Sequence, residues 1–260
     1  MTAVDFAAFV DRLATVSGEA ILPFFRTSLG VENKGGPGTF DPVTAADRAA
    51  ETAMRTLIRQ SFPDHGIIGE EFGNERIDAD YVWVIDPIDG TKAFITGIPI
   101  FGTLIALCHR GVPVLGVIDQ PISGERWVGI AGHGATLNGK PIRTRACDAL
   151  GKAYLYATTP TMFRGPDMPA FERLAGKVKL ARYGGDCYAY ALVAMGFADI
   201  VVECQLKPFD YCALVPVIQG AGGTISDWRG APLDLKSDGH VLACGDKRSH
   251  EAAMAVLAGA

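Results

Sequence analysis

Residues 81–91 read Tyr-Val-Trp-Val-Ile-Asp-Pro-Ile-Asp-Gly-Thr, and this stretch decides the fold. Its first five residues are β-branched or aromatic, which predicts a strand. The carboxylates of Asp86 and Asp89 follow where that strand ends. Because Pro87 holds the backbone extended and then turned, these carboxylates and the carbonyl oxygen of Ile88 can converge on one point. Oxygen ligands of this kind suit Mg²⁺.

The last two residues of the stretch are typical of a phosphate site. Gly90 lets a ligand approach the backbone closely. Thr91 places a hydroxyl where a helix can begin, with free N–H groups that favour a bound phosphate. The alternative is that Asp-Pro and Asp-Gly are ordinary turn signals after an edge strand. Residues 86–91 alone leave both interpretations open.

Three more acidic residues stand at the ends of predicted elements. Glu70 follows a second short apolar strand, and Asp210 precedes an apolar segment that predicts a helix. Asp47 closes the segment Thr44–Asp47, whose pattern is typical of a capping box. The structural alternative for Asp210 and for Asp47 is that each stabilises the start of a helix.

Taken together, Gly69–Glu71, Trp83–Thr91 and Phe209–Asp210 resemble the motifs of the inositol-monophosphatase-type superfamily of Mg²⁺-dependent, lithium-sensitive phosphatases. The resemblance includes Lys34 in an early loop and the segment Ala221–Asp227, so it covers nearly the whole chain. It implies an α/β fold of the layered α+β sandwich type, with mixed and antiparallel sheets between helix layers and with two lobes.

The resemblance also implies a role for each matching residue. It implies two or three Mg²⁺ ions per active site, with the metal ligands Glu70, Asp86, the Ile88 carbonyl, Asp89 and Asp210. It gives Asp47, Thr91, Glu70 and Lys34 as the catalytic residues. A metal would lower the pKa of a water molecule, and Thr91 in contact with Asp47 would take its proton. For Lys34 the alternative is a solvated loop cation.

Substrate recognition is predicted to come mainly from the second half of the chain. The matching substrate-binding residues are Gly90, Thr91, Gly185, Asp186, Glu203 and Asp210. Asp186 adds a negative charge that would help an uncharged polyol little, but with Glu203 it can hold a protonated amine or imidazole. Residues 102–107, 184–190 and 206–210 resemble the histidinol-phosphate phosphatase branch of the superfamily. The alternative for Asp186 is a helix N-cap.

Composition restricts the class of partner. The net charge of −5 and the lack of Lys or Arg runs argue against nucleic acid. No apolar run approaches the roughly 20 residues that a membrane helix needs. The N-terminus lacks the pattern of a secretory signal, so a cytoplasmic location is expected. The six cysteines show no metal-ligand spacing, which predicts reduced structural thiols.

Periodicity predicts the organisation of the chain. Helical spacing of apolar residues predicts an amphipathic helix over about residues 3–27. The Gly-rich segment Lys34–Phe40 predicts a flexible loop of the kind that closes over sites. A boundary near residues 144–151 divides an N-terminal α+β lobe, 1–146, from a C-terminal α/β lobe, 147–260. Most metal ligands fall in the first lobe, whereas Asp210 and the substrate-recognition residues fall in the second.

An apolar segment, Phe94–Phe101, indicates a subunit interface, and the resemblance to a family of homodimers points the same way. The alternative is that this segment is buried within one chain. No nucleic acid or membrane partner is expected, and the partner is a small-molecule phosphate monoester.

The sequence therefore predicts a Mg²⁺-dependent phosphomonoesterase of histidine biosynthesis, which hydrolyses L-histidinol phosphate to L-histidinol and phosphate. The first alternative is an inositol-1-monophosphatase-type enzyme that accepts many small phosphomonoesters. The second is a metal-binding regulatory protein with the same fold and no turnover.

Overall fold

The computed structural model describes residues 3–28, 30–34 and 42–259. The helices are α1 (Ala3–Ile21), α2 (Ala45–Ser61), α3 (Thr91–Ile95), α4 (Asp167–Ala175), α5 (Asp186–Ala194), α6 (Pro208–Tyr211), α7 (Leu214–Gly220) and α8 (Lys247–Ala258). Single 3₁₀ turns lie at Leu22–Phe24, Leu150–Lys152 and Pro160–Met162. Two short strands, β1 (Val31–Asn33) and β2 (Pro42–Thr44), form an antiparallel pair just before α2.

The larger sheet has eight strands and comes from the first half of the chain. They are β3 (Gly66–Gly69), β4 (Gly73–Glu75), β5 (Tyr81–Asp89), β6 (Gly102–His109), β7 (Val112–Gln120), β8 (Glu125–Ile130), β9 (Gly134–Leu137) and β10 (Lys140–Pro141). Their order across the sheet is β10-β9-β8-β7-β6-β5-β3-β4. Strands β3 and β5 run parallel, and the other neighbours are antiparallel. The sheet is therefore mixed.

The smaller sheet has five strands from the second half. They are β11 (Tyr154–Ala157), β12 (Leu180–Tyr183), β13 (Ile200–Glu203), β14 (Thr224–Ser226) and β15 (Val241–Cys244), in the order β12-β11-β13-β15-β14. Strand β11 is parallel to both of its neighbours, whereas β15 is antiparallel to β13 and β14. The parallel pairs are joined through α4 and α5, since parallel strands need a crossover connection.

Side chains alternate between the two faces of each sheet, and helices pack on both faces, which gives five layers. In β5, Trp83 and Ile85 pack with α1 and α2, whereas Val82 and Val84 pack with α5 and α7 on the opposite face. The same central helices pack against one face of the smaller sheet, and α4 and α8 cover its other face. The order is thus helices, larger sheet, helices, smaller sheet, helices. The predicted layered α/β fold, with mixed and antiparallel sheets between helices, is confirmed.

Helix α7 rests on the larger sheet through main-chain atoms. A Cβ atom added at Gly116 of β7 would lie 1.9 Å from the carbonyl oxygen of Ala213, just before α7. A Cβ atom added at Gly129 of β8 would lie 2.3 Å from the carbonyl group of Pro216. We call the packing of Gly116 and Gly129 against this main chain the glycine contact. It sets the distance between the α6–α7 segment and the larger sheet, because a side chain at either glycine would push the segment away from the sheet.

The two sheets lie on either side of the predicted boundary, since the first ends at Pro141 and the second begins at Tyr154. The central hydrophobic cluster nevertheless takes residues from both halves, among them Val84 and Val201. The division into lobes 1–146 and 147–260 stays a prediction. The first helix ends earlier than predicted, at Ile21, because the chain turns into a 3₁₀ segment containing Pro23.

Among residues 3–28, 30–34 and 42–259, no helix combines the length and apolarity needed to span a membrane. All six cysteines are buried free thiols. In the apolar segment, Phe94 and Phe101 are buried within the chain and Ile98 is 48% exposed. The predicted loop Lys34–Phe40 lies outside the described residues except for Lys34.

Candidate metal centre and active site

The end of β5 carries two of the predicted ligands. In a regular strand, residues three positions apart face opposite sides of the sheet. The pairing of β5 with β6 shifts register between Asp86 and Asp89, which reorients the side chains. The N–H of Ile88 donates to Asp86 Oδ1 at 3.0 Å, and Thr103 Oγ1 donates to the Pro87 carbonyl at 2.8 Å. These bonds fix the backbone of the irregular strand end.

Asp210 completes a cluster of three carboxylates with Asp86 and Asp89. One oxygen atom from each residue lies within 4.8 Å of the other two. Asp210 belongs to the single-turn helix α6, where its Oδ2 accepts the N–H of the N-cap residue Lys207 at 2.6 Å. The structural interpretation of Asp210 as a helix-start acid is therefore correct, and the same side chain also joins the cluster.

The cluster is electrostatically unfavourable without a cation. Burial, followed by repulsion from Glu70, Asp89 and Asp210, raises the pKa of Asp86 well above its ordinary value. Burial and the charges of Asp186 and Asp210 raise the pKa of Asp89 in the same way. Burial also raises the pKa of Asp210 to about 7, although the hydrogen bond from Lys207 opposes it. A bound cation would remove this repulsion.

Glu70 lies next to this cluster, in the turn after β3, and pairs with Lys34. The ammonium group of Lys34 donates to Glu70 Oε1 at 2.9 Å and to Glu71 Oε1 at 2.6 Å. Burial raises the pKa of Glu71 to about 7, although Lys34 lowers it. Lys34 is thus bound by two carboxylates and is not a free loop cation.

Asp47 caps α2 as predicted, and one of its oxygen atoms accepts no hydrogen bond within the described ranges. The N–H and the hydroxyl of Thr44 donate to Asp47 Oδ2 at 2.8 and 2.7 Å. Asp47 Oδ1 is buried and accepts no hydrogen bond from the described part of the chain. Burial raises the pKa of Asp47, although the hydrogen bonds from Thr44 lower it.

Thr91 does not make the hydrogen bond with Asp47 that the resemblance implies. Its hydroxyl donates instead to the Ile88 carbonyl oxygen at 3.0 Å. This arrangement arises because Thr91 is the first residue of α3, and the chain turns back toward Ile88 through Gly90 at φ +82°. The described structure therefore lacks a Thr91–Asp47 hydrogen bond, and the catalytic role of this pair stays a prediction.

A cavity of about 150 Å³ opens beside the cluster. Its wall is formed by Asp89, Thr158, Met162, Asp186, Cys187, Tyr190, Glu203, Leu206 and Asp210. Glu203 is buried at the end of β13, where Oε1 accepts the Thr158 N–H at 2.7 Å and Oε2 accepts the Tyr190 hydroxyl at 2.9 Å. Burial raises the pKa of Glu203, although both hydrogen bonds lower it. Four acids thus share one small cavity.

Asp186 begins α5 without capping it. The N-cap is Gly185, which makes no side-chain cap, and Asp186 has a positive φ of +43°. Burial raises the pKa of Asp186, whereas Lys92 and a hydrogen bond with Thr158 lower it. A Cβ atom at Gly90 would lie 2.9 Å from the Asp186 carboxyl group, so only glycine fits there. The N-cap alternative for Asp186 is therefore wrong.

The remaining residues divide between the cavity and the packing around it. Gly185 is buried, and a Cβ atom there would lie 2.8 Å from Ala189 Cβ and 3.1 Å from the Tyr156 ring. The N–H of Cys187 donates to Asp89 Oδ2 at 2.6 Å. A wider groove of about 630 Å³ between α1 and strands β7–β9 has none of the predicted site residues in its wall.

The donor set fits a hard divalent cation such as Mg²⁺. Every candidate ligand atom in the cluster is an oxygen, and these atoms lie close enough to share one ion. Asp47 Oδ1, which has no partner in the part of the chain that the structure describes, is a buried acceptor that a bound water molecule would satisfy.

A family model described as the inositol monophosphatase family matches residues 4–259. The chain belongs to the inositol monophosphatase family. The match covers both sheets and includes every predicted site residue. The chain is thus a phosphatase of this family, whose substrates are small phosphate monoesters.

Relatives within the inositol monophosphatase family have different names. The chain is 50% identical to the bifunctional phosphatase IMPL2, chloroplastic, of Arabidopsis thaliana, over 97% of this chain and 75% of that protein. It is 37% identical to a histidinol-phosphatase of Chlorobaculum parvum, over 89% of each chain. A solved structure of an inositol monophosphatase from Zymomonas mobilis has a TM-score of 0.91 and 45% identity, covering 99% of this chain and 100% of that one.

Sequence reasoning missed several residues around the site of this family member. Thr158 and Tyr190 donate hydrogen bonds to Glu203, and the charge of Lys92 lowers the pKa of Asp186. Tyr190 lies in the segment that resembles the histidinol-phosphate phosphatase branch, so its position was a usable signal. Thr158 carried no motif, because its contact with Glu203 depends on the pairing of β11 with β13.

Proposed function

We propose that this phosphatase hydrolyses L-histidinol phosphate to L-histidinol and phosphate, as a step of histidine biosynthesis. The observation that carries the proposal is the pair of carboxylates, Asp186 and Glu203, in the cavity wall beyond the three-carboxylate cluster. Each buried charge needs a partner. A neutral polyol would offer no positive charge to these two further acids in the buried wall. The α-ammonium and imidazole of histidinol phosphate would provide such partners.

Charge and hydrogen bonding in the cavity support a cationic substrate. Thr158 and Tyr190 donate to Glu203 and leave it without a cationic partner in the described structure. Asp186 borders Gly90, which places its carboxyl group next to the end of β5. The substrate phosphate would lie near Thr91 and the cluster, so the amino-alcohol part would extend between Asp186 and Glu203.

For catalysis we propose that Glu70, Asp86, the Ile88 carbonyl, Asp89 and Asp210 hold two or three Mg²⁺ ions. When bound, the ions would neutralise the phosphate and lower the pKa of the attacking water. The Thr91 hydroxyl would leave the Ile88 carbonyl and turn to the unpartnered Asp47 Oδ1, and this pair would accept the proton from the water.

Lys34 and the backbone would assist the same reaction. The ammonium group of Lys34 is held between Glu70 and Glu71, where it lies next to a proposed ligand and can balance negative charge. Gly90 and Thr91 would receive the phosphate at the turn after β5. Attack by water in line with the leaving alcohol requires no covalent intermediate.

The test compares release of phosphate from L-histidinol phosphate and from myo-inositol 1-phosphate, each with Mg²⁺ and with chelator. We expect strong Mg²⁺-dependent preference for histidinol phosphate. In Asp186→Asn, kcat/KM for histidinol phosphate should fall about 10- to 100-fold, because a charged hydrogen bond contributes about 1.5–3 kcal/mol. Hydrolysis of the inositol ester should change less than about threefold, since that substrate has no cation.

Equal effects on both substrates would contradict recognition of a cation by Asp186. Comparable rates in the unmodified protein would favour the second candidate, a broad inositol-1-monophosphatase-type activity. The observation in favour of that candidate is the 45% identity to the inositol monophosphatase of Zymomonas mobilis. No release from either ester would leave only a binding function.

We further propose a homodimer in the cytoplasm. Ile98, a large apolar side chain of the segment 94–101 that is 48% exposed, is our candidate for the interface. Sedimentation of the unmodified protein and of Ile98→Asp would test this assignment, because a charge in an apolar interface should weaken association. A monomer in both cases would contradict it.

A further inference from the structure

A buried ion pair on α2 adjoins the turn that carries Glu70. Glu51 and Arg55 are 0% and 2% exposed, and Arg55 Nε donates to Glu51 Oε1 at 2.7 Å. A Cβ atom added at Gly69 would lie only 2.2 Å from Glu51 Oε1 and 2.6 Å from Arg55 Nη2. The absence of a side chain at Gly69 thus lets the ion pair reach the main chain of the turn.

The ion pair bonds mainly to that turn. Glu51 Oε2 accepts the N–H of Glu71 at 2.8 Å, and Glu51 Oε1 accepts the N–H of Phe72 at 3.1 Å. Arg55 donates to the Gly73 carbonyl oxygen, in the strand that follows. A buried carboxylate with two N–H donors and a guanidinium partner has its hydrogen-bonding capacity largely satisfied.

The other side of Arg55 reaches the end of β4. Arg55 Nη1 donates to Glu75 Oε1 at 2.7 Å, and Glu75 also pairs with the more exposed Arg59. Helix α2 is therefore hydrogen-bonded both to the turn between β3 and β4 and to the far end of β4. The first turn of the same helix contains Asp47, one turn before Glu51, so the helix carries one predicted catalytic residue and supports another.

We propose that Glu51 is a positioning residue for Glu70, and that Arg55 holds Glu51 in place. The bonds fix the main chain immediately after Glu70, which sets where the Glu70 carboxylate can lie. This inference rests on the proposed role of Glu70 as a metal ligand, and it does not depend on the identity of the substrate. Residues that orient metal ligands typically change metal affinity 10- to 100-fold when mutated.

The first test needs no variant and no activity. In the chelator-treated protein, hydrogen exchange should be slow at the N–H groups of Glu71 and Phe72, although the Phe72 side chain is 50% exposed. Fast exchange at both groups would contradict the proposed fixation of the turn.

The second test measures Mg²⁺ binding by calorimetric titration without substrate. Glu51→Gln keeps the side-chain volume but replaces an acceptor with an amide that faces an N–H donor. Its Kd for Mg²⁺ should rise about 10- to 100-fold. At saturating Mg²⁺, kcat should recover to within about threefold, because Glu51 does not touch the substrate.

The matched control is Asp199→Asn. Asp199 is 1% exposed, accepts from Arg145 Nε at 2.7 Å and from the Tyr154 N–H at 2.7 Å, and lies before β13. It therefore has the same types of partner as Glu51. Asp199→Asn should lower Tm while leaving the Mg²⁺ titration unchanged.

Further variants separate the possible outcomes. If Glu51→Gln lowers Tm and leaves Mg²⁺ binding unchanged, Glu51 is only structural and the inference is wrong. If Glu51→Gln does not fold, Glu75→Gln provides a milder test, with an expected rise of about threefold in Kd, and an unchanged Kd there overturns the inference. If Glu70→Gln itself leaves Mg²⁺ binding unchanged, the proposed ligand role of Glu70 fails instead.

Discussion

Asp47 combines a structural and a proposed chemical role in one side chain. Its Oδ2 caps α2 through Thr44, and its Oδ1 is buried without a partner among the described residues. The two oxygen atoms therefore allow the two roles to be separated by mutation. An asparagine can still accept from Thr44, but it cannot accept a proton.

We expect Asp47→Asn to lower kcat by about 10²- to 10⁴-fold, which is the usual contribution of a positioned base. Its free energy of unfolding should change by less than about 1 kcal/mol, because the cap is kept. Steady-state kinetics and urea unfolding give the two values. Thr44→Ala is the converse control, with a loss of about 1 kcal/mol and a smaller fall in kcat. Activity of Asp47→Asn within tenfold of the unmodified protein would exclude Asp47 as the base.

Among the elements, the α6–α7 segment positions Asp210. Helix α6 is a single turn, and α7 is held by the glycine contact at Gly116 and Gly129. The position of Asp210 relative to Asp86 and Asp89 thus depends on a main-chain contact between α7 and the larger sheet.

Gly116→Ala should lower the free energy of unfolding by about 3 kcal/mol or more, because the new Cβ atom would overlap the Ala213 carbonyl group. Gly151→Ala is the control, since no atom lies within 4 Å of its added Cβ, and it should change stability by less than about 0.5 kcal/mol. Urea unfolding measures both. Equal stability of the two variants would show that α7 can move away from the sheet without loss.

The sequence predicted elements better than the contacts between them. The strand from Tyr81 and the Thr44–Asp47 capping box were both recognisable, because each depends on residues close together in the chain. The Glu51–Arg55 pair was not recognised, since acid and base four residues apart usually form a solvated pair on a helix surface. Burial of that pair depends on the β3–β4 turn, which no local pattern indicates.

Asp210 illustrates the same limit. Its place before an apolar helix was predicted, but the break between α6 and α7 was not. The Thr91–Asp47 contact was implied only by resemblance. In the described structure the Thr91 hydroxyl donates to the Ile88 carbonyl oxygen instead. A hydroxyl rotor responds to bound ligands, so its direction cannot be read from residue types.

For the molecule as a whole, the acidic centre makes stability depend on pH and on cations. Carboxyl groups whose pKa is raised in the folded state bind more protons when folded than when unfolded. Their stabilising contribution is complete below about pH 4 and is lost as pH rises through the folded pKa. Asp210 and Glu71, each with a pKa of about 7, should therefore destabilise the metal-free protein as pH rises past neutrality.

Between pH 6.5 and 8 we expect the metal-free protein to lose about 1 to 2 kcal/mol, or roughly 3–6 °C in Tm. His65 and His250, whose pKa values burial lowers, act in the opposite direction, and their effect fades as pH rises past the ordinary histidine pKa of about 6.5. Thermal unfolding in chelator measures the slope, and Asp210→Asn should reduce it. Added Mg²⁺ should stabilise more at pH 8 than at pH 6.5, because protons compete for the same oxygen atoms. A Tm that rises across this range in chelator would contradict the assignment.

The glycine contact also bears on how such proteins diverge. Where two elements meet through side chains, a change on one surface can be compensated by a change on the other. Gly116 and Gly129 meet main-chain atoms, which no compensating mutation can remove. The spacing between α7 and the sheet is therefore difficult to alter by stepwise substitution. The residues of the cavity wall, by contrast, can be exchanged one at a time. A scaffold of this kind can acquire new substrate preferences while the carboxylate geometry beside them stays constant.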